Sequence, residues 1–165
     1  MYNYSLAIRL APVLITNSDM ISAIQAVSPD IIQVNEFTML LDNCQSTPTV
    51  GYLIELAGAP GLSKSKLLLN HALSSEIQPI GPNAHLAPQI LSEGLAAANA
   101  KFRMVLEDAK VCIPSVRLLS PGTFAAFRQW KAEKMSIGLG QVKVPAVLVD
   151  EASRKWMLQR VVGQL

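Results

Sequence analysis

The sequence predicts an α/β domain, and three stretches carry the prediction. Gly51–Ala57 is apolar enough for a buried strand, Gly58–Ser63 is a loop rich in Gly and Pro, and Lys64–Leu73 reads as a helix, so strand, loop and helix follow one another directly. Ala146–Asp150 is a second apolar strand, and it ends in a carboxylate. Between the two lie segments with helical spacing of apolar residues, which makes the chain alternate between strands and helices. At 165 residues this is most simply one domain with a sizeable core.

In chain order, Tyr4–Ile15 is a strand-like run broken by Pro12, and Ser18-Asp19 can cap a short helix over Met20–Val27. Ile31–Val34 is short, apolar and extended. Asn35–Pro48 leads straight into the strand at Gly51. After the helix at Lys64, Gln78–His85 reads as loop, and Pro88–Asn99 is a helix with Leu91, Leu95 and Ala98 on one face. Phe102, Val105 and Ala109 either extend that stripe to Lys110 or begin a strand at Phe102–Leu106, and periodicity alone leaves both open. Ser120-Pro121 caps a helix from Pro121 to about Met135, in which Phe124, Phe127 and Trp130 recur every third residue beside Lys131 and Lys134. Such residues stack on bases or meet an acidic partner, or they are core aromatics bordered by lysines.

Half of the residues are apolar and 16% are charged, a fraction low enough to suggest a surface partly covered by a partner. No apolar run is long enough to span a membrane, and MYNYSLAIRL has neither the basic start nor the cleavage site of a secretory signal. Residues 1–100 carry three basic and seven acidic side chains, whereas 101–165 carry eleven and five. An anionic partner would meet the later half. Cys44, Cys112, His71 and His85 could supply four metal ligands, but none is paired at a ligand spacing, so no zinc is expected.

The chemistry suggested by the sequence sits at Gly58. A phosphate-binding loop has Gly, four residues, then Gly-Lys-Ser/Thr, so that backbone N–H groups close around an anion at a helix N-terminus, the Lys reaches the outer phosphates and the hydroxyl holds Mg²⁺. Gly58 opens the pattern, Gly61 falls inside it, and Ser63-Lys64-Ser65 closes it with Ser63 where Gly is expected. An ordinary turn would give the same letters. So would a helix-turn-helix centred on Leu56–Leu69, although Pro60 would then fall inside its first helix.

Leu41-Asp42, a small-residue turn over Asn43–Thr49 and the strand Gly51-Tyr52-Leu53-Ile54-Glu55-Leu56 running into that loop resemble the core of RecA-like recombinases and their paralogues. The resemblance implies a shortened three-layer core with a mainly parallel sheet over residues 35–165, preceded by a strand and helix extension over 1–34. It implies that Gly58 and Gly61 shape a loop for ATP in which Ser63 also lies and crowds the phosphate, that Lys64 contacts phosphate, and that Ser65 and Asp150 serve Mg²⁺. The water-activating carboxylate of that family has no counterpart between Ile77 and Pro88, which implies a non-catalytic accessory subunit. Its partners would be a recombinase or another paralogue, with single-stranded DNA met through the complex during homologous recombination and DNA repair. The protein would be intracellular, nuclear in a eukaryote and otherwise cytoplasmic. A helix-turn-helix DNA-binding protein and a slow ATPase of the same fold are the alternatives.

Overall fold

A computed structural model describes residues 7–10, 12–27, 29–44, 46–58 and 79–165. A four-stranded sheet has the order β3 (Val34–Cys44), β4 (Thr47–Leu56), β5 (Ser115–Leu119) and β6 (Val161–Gln164). A separate antiparallel hairpin of β1 (Ala7–Leu10) and β2 (Val13–Thr16) precedes it, turning at Pro12 as a residue with no N–H and a fixed φ favours. The sheet is mixed. β3 and β4 form an antiparallel hairpin whose register runs as far as Cys44 opposite Thr47, β4 and β5 are parallel, and β5 and β6 are antiparallel.

β4 is the centre of the molecule. Its residues from Thr49 to Leu56 are all buried, because helices cover both sides of the sheet. On one face Val50, Tyr52, Ile54 and Leu56 join a core with the hairpin, α1 (Asn17–Gln25), α2 (Ala87–Ala98) and α3 (Ala100–Glu107). On the other, Leu53 meets Phe124 and Phe127 of α4 (Thr123–Met135) and Trp156 and Met157 of α5 (Glu151–Leu158). The hairpin and α1 thus share their core with β4.

Two expectations are corrected here, and one open choice is decided. The mainly parallel RecA-like sheet is replaced by a mixed one with a single parallel pair among its four strands. The apolar run ending at Asp150 does not neighbour β4: Met39 of β3 donates to Ala146 O at 3.0 Å and accepts from Leu148 N at 2.7 Å, so this segment runs alongside β3, parallel to it and antiparallel to β4. Phe102–Leu106 is helical. Asn99, extended at φ −136°, breaks the stripe into two helices, and its side chain caps the second by accepting from Phe102 N at 3.0 Å. Among the described residues, no helix is long and apolar enough to cross a membrane.

Gly51 shows how tightly the layers meet. Arg117 of β5 reaches over it to Asp42 of β3 at 2.7 Å, and a Cβ at Gly51 would stand 3.0 Å from the guanidinium.

Candidate functional site

The site grows from the carboxyl ends of the two parallel strands. The chain leaves β4 at Ala57-Gly58 and reaches β5 through α2 and α3 on the first face of the sheet; it leaves β5 at Ser120 and enters α4 on the second face. Connections departing to opposite faces open a crevice at the strand ends, where α/β sheets bind ligands.

At this end the chain passes from β5 into the start of α4. Gly122 takes φ 86°, a left-handed conformation that a side chain would strain, and Thr123 donates its hydroxyl to Ser120 O at 2.7 Å. No side chain of the local sequence caps the helix. Glu55 does so from the neighbouring strand: its Oε2 accepts from Phe124 N at 2.6 Å and its Oε1 from Asn35 Nδ2 at 2.5 Å, with the residue 2% exposed. A carboxylate placed there is stabilised by the positive end of the helix dipole. Glu36, opposite Glu55 in the register, pairs with Arg128 of α4 at 2.5 Å.

Outside this cap lies an open groove of about 370 Å³ between Ser120–Thr123 and the turn from Gln159 to Val162. Pro121, Ala126, Val161 and Val162 supply apolar wall and Arg160 supplies the positive charge. The Arg160 guanidinium lies 3.4 Å over the Trp156 ring and donates to Trp156 O at 2.9 Å, which fixes its direction.

Of the residues singled out in the sequence, Gly58 lies at this end, exposed and at φ 142°, one residue beyond Ala57. Gly61, Ser63, Lys64 and Ser65 lie outside the described residues. Asp150 is elsewhere. The parallel pairing of its strand with β3 sets it level with Asp42 and Thr49, and Arg154 of the following helix donates to Leu41 O at 3.1 Å. That is the opposite end of β4 from Gly58, with Thr49 about 23 Å from Leu56 along the strand.

Asp150 has local work there. Its Oδ1 accepts from Ser153 N at 2.8 Å as the cap of α5, and its Oδ2 meets Lys131 Nζ at 3.1 Å. Burial pushes its carboxyl up, but hydrogen bonds from Ser153 and Lys131 outweigh this and hold it below the usual value. It does not fit a magnesium site beside Gly58. The helix-turn-helix alternative required a helix through Glu55-Leu56, and both residues lie in β4.

The aromatic series of α4 turns inward. Phe124 and Phe127 are buried, and Trp130 stacks on Trp156 at 5.4 Å while Lys131 and Lys134 border its ring at 6.0 and 5.1 Å. Of the four metal-ligand candidates, Cys44 and Cys112 meet at the turn end of the β3–β4 hairpin, His85 lies in the short turn before α2, and His71 is outside the described residues.

No protein-family model and no curated protein matches the chain by sequence. Solved structures match by shape. A GH3.15 acyl acid amido synthetase superposes with a TM-score of 0.71 at 13% identity, over 96% of this chain and 27% of the synthetase. AtGH3.15 acyl acid amido synthetase in complex with 2,4-DB gives the same TM-score and identity, over 98% and 26%. The fold is one shared with acyl acid amido synthetases. The structures it matches are acyl acid amido synthetases, so the kinship to RecA-like recombinases and phosphate-loop recombination proteins is overturned. The chain spans about a quarter of the length of the synthetases it matches.

Glu55, Arg128 and Arg160 were missed as parts of this end of the sheet. For Glu55 a signal existed: a carboxylate inside the apolar run Tyr52–Ala57 must be buried and therefore paired. For Arg128 there was none, since its partner Glu36 lies far away in sequence, whereas Arg160 follows Trp156 by four residues, a spacing that places the two on one helix face.

Proposed function

We propose that the chain is a nucleotide- and acyl-acid-binding domain of the adenylate-forming type, working in contact with a partner chain. ATP binds at the Gly58 end of the sheet, with Lys64 as the residue that contacts phosphate and Ser65 as the one that serves Mg²⁺. The groove beside α4 takes a carboxylic acid with an apolar body, its carboxylate on Arg160 and its body against Pro121, Val161 and Val162.

One observation carries this reading: Gly58 and the groove both lie at the carboxyl end of the parallel pair β4 and β5, where their connections part. The shared fold supports the choice of ligands, since the matched synthetases act on acyl acids by name and one of them was solved with 2,4-DB. The domain binds rather than turns over. Of the carboxylates at this end, Glu55 is buried with both oxygens engaged and Glu36 is paired with Arg128, which withholds both from proton transfer.

Calorimetric titration of the purified chain with ATP and Mg²⁺, and separately with 2,4-DB, tests the proposal. Lys64→Ala is expected to weaken ATP binding at least tenfold and to leave 2,4-DB unaffected; Arg160→Ala is expected to do the reverse. Absence of heat for both ligands at millimolar concentration overturns the assignment, and formation of acyl adenylate or pyrophosphate release overturns its non-catalytic part.

A further inference from the structure

The two cysteines, 68 positions apart in sequence, are brought together by the fold. Cys44 closes β3 and is exposed; Cys112 lies between α3 and β5 and is partly exposed. The Cys112 thiol donates to Cys44 O at 3.7 Å. Backbone and side-chain bonds of the neighbouring hairpin hold Cys112 in place without help from either sulfur: Cys112 N donates to Pro48 O at 3.2 Å and Thr49 Oγ1 donates to Cys112 O at 2.9 Å. Cys44 is fixed in turn by its pairing with Thr47 across the hairpin turn. Both partners of a cross-link are therefore positioned by contacts that survive its opening and closing, and both are open to a small reagent.

We propose that Cys44 and Cys112 form a reversible intramolecular disulfide by exchange with a small-molecule disulfide such as oxidised glutathione, a thiol switch that pins the β3–β4 hairpin to the segment before β5. The Cys44 thiolate attacks one sulfur of glutathione disulfide, whose S–S bond breaks and releases one glutathione thiolate. The Cys112 thiolate then attacks the Cys44 sulfur of the mixed disulfide and releases the second. The protein loses two protons and two electrons, and the oxidant leaves as two molecules of glutathione. Hydrogen bonding to Cys44 and burial hold the Cys112 thiol above its ordinary value, so the second step quickens as pH rises. The switch lies at the Thr49 end of β4, remote from Gly58.

The test is equilibration of the full chain with oxidised glutathione, followed by maleimide counting of thiols and intact mass. The expected product is a monomer lighter by two hydrogens with no reactive thiol, restored by dithiothreitol and unfolding at higher denaturant than the reduced chain. Cys44→Ser and Cys112→Ser are expected to stop at a single glutathione adduct. Retention of two reactive thiols, two glutathione adducts on one chain, or disulfide-linked dimers as the main product would each overturn the proposal.

Discussion

Glu55 is the residue on which the two faces of β4 depend. Its carboxylate is buried yet doubly hydrogen-bonded, and it closes a helix that brings no cap of its own. Glu55→Leu leaves the Phe124 N–H and the Asn35 amide without their acceptor and is expected to cost about 2–4 kcal/mol in urea unfolding. Glu55→Gln keeps an oxygen for Phe124 and should recover a good part of that loss. Asp42 supplies a pH dependence. Burial raises its carboxyl, but hydrogen bonds from Arg117 and Ser115 prevail and hold it below its ordinary value. A depressed carboxylate stabilises the fold above the unfolded value of about 3.9, and this contribution fades as pH falls through the folded value. Asp42→Asn should therefore flatten the decline in the urea midpoint from about pH 5 to 3 relative to the parent chain.

At the scale of elements, Asn99 joins three parts of one layer. It caps α3, and its Nδ2 donates at 3.0 Å to Leu14 O of β2 and to Asp19 of α1. Asn99→Ala is expected to lower stability by about 1–2 kcal/mol, read from the thermal or urea midpoint. These elements also show what the sequence could convey. The β1–β2 break at Pro12, the buried run of β4 and the helix ending at Met135 depend on local spacing, and the sequence placed them within a few residues; the cap expected of Ser120-Pro121 is supplied instead by Glu55. The partners of strands were not legible. An apolar run such as Ala146–Val149 has the same letters whether it lies beside β3 or β4 and whichever way it points, because burial on both faces erases the alternation that would orient it. The terminal carboxylate of that run reads equally as a metal ligand or a helix cap, and it is the pairing with β3 that makes Asp150 a cap. Of the site, Gly58 was legible through its glycine-rich setting; the groove was not, since it joins residues near 120 to residues near 160.

At the scale of the whole molecule, the sheet divides the labour of its two ends. The carboxyl ends of β4 and β5 hold Gly58 and the groove; the other end holds the Asp42–Arg117 pair, the capped α5 and the two cysteines. Acid, oxidation and substitution at the Thr49 end should therefore leave ligand titrations at the Gly58 end unchanged while altering stability. The backbone of Gln33 adds a property of its own. It accepts from Ala57 N at 2.8 Å and donates to Pro79 O at 2.9 Å, so one residue clasps the chain on either side of positions 59–78. Because the clasp is made by residues outside positions 59–78, replacing that stretch with a short glycine bridge is expected to keep Ala57 and Pro79 side by side and to abolish ATP binding, with circular dichroism, chemical denaturation and titration as readouts, since closing a loop of different length costs only about 0.6 kcal/mol per doubling.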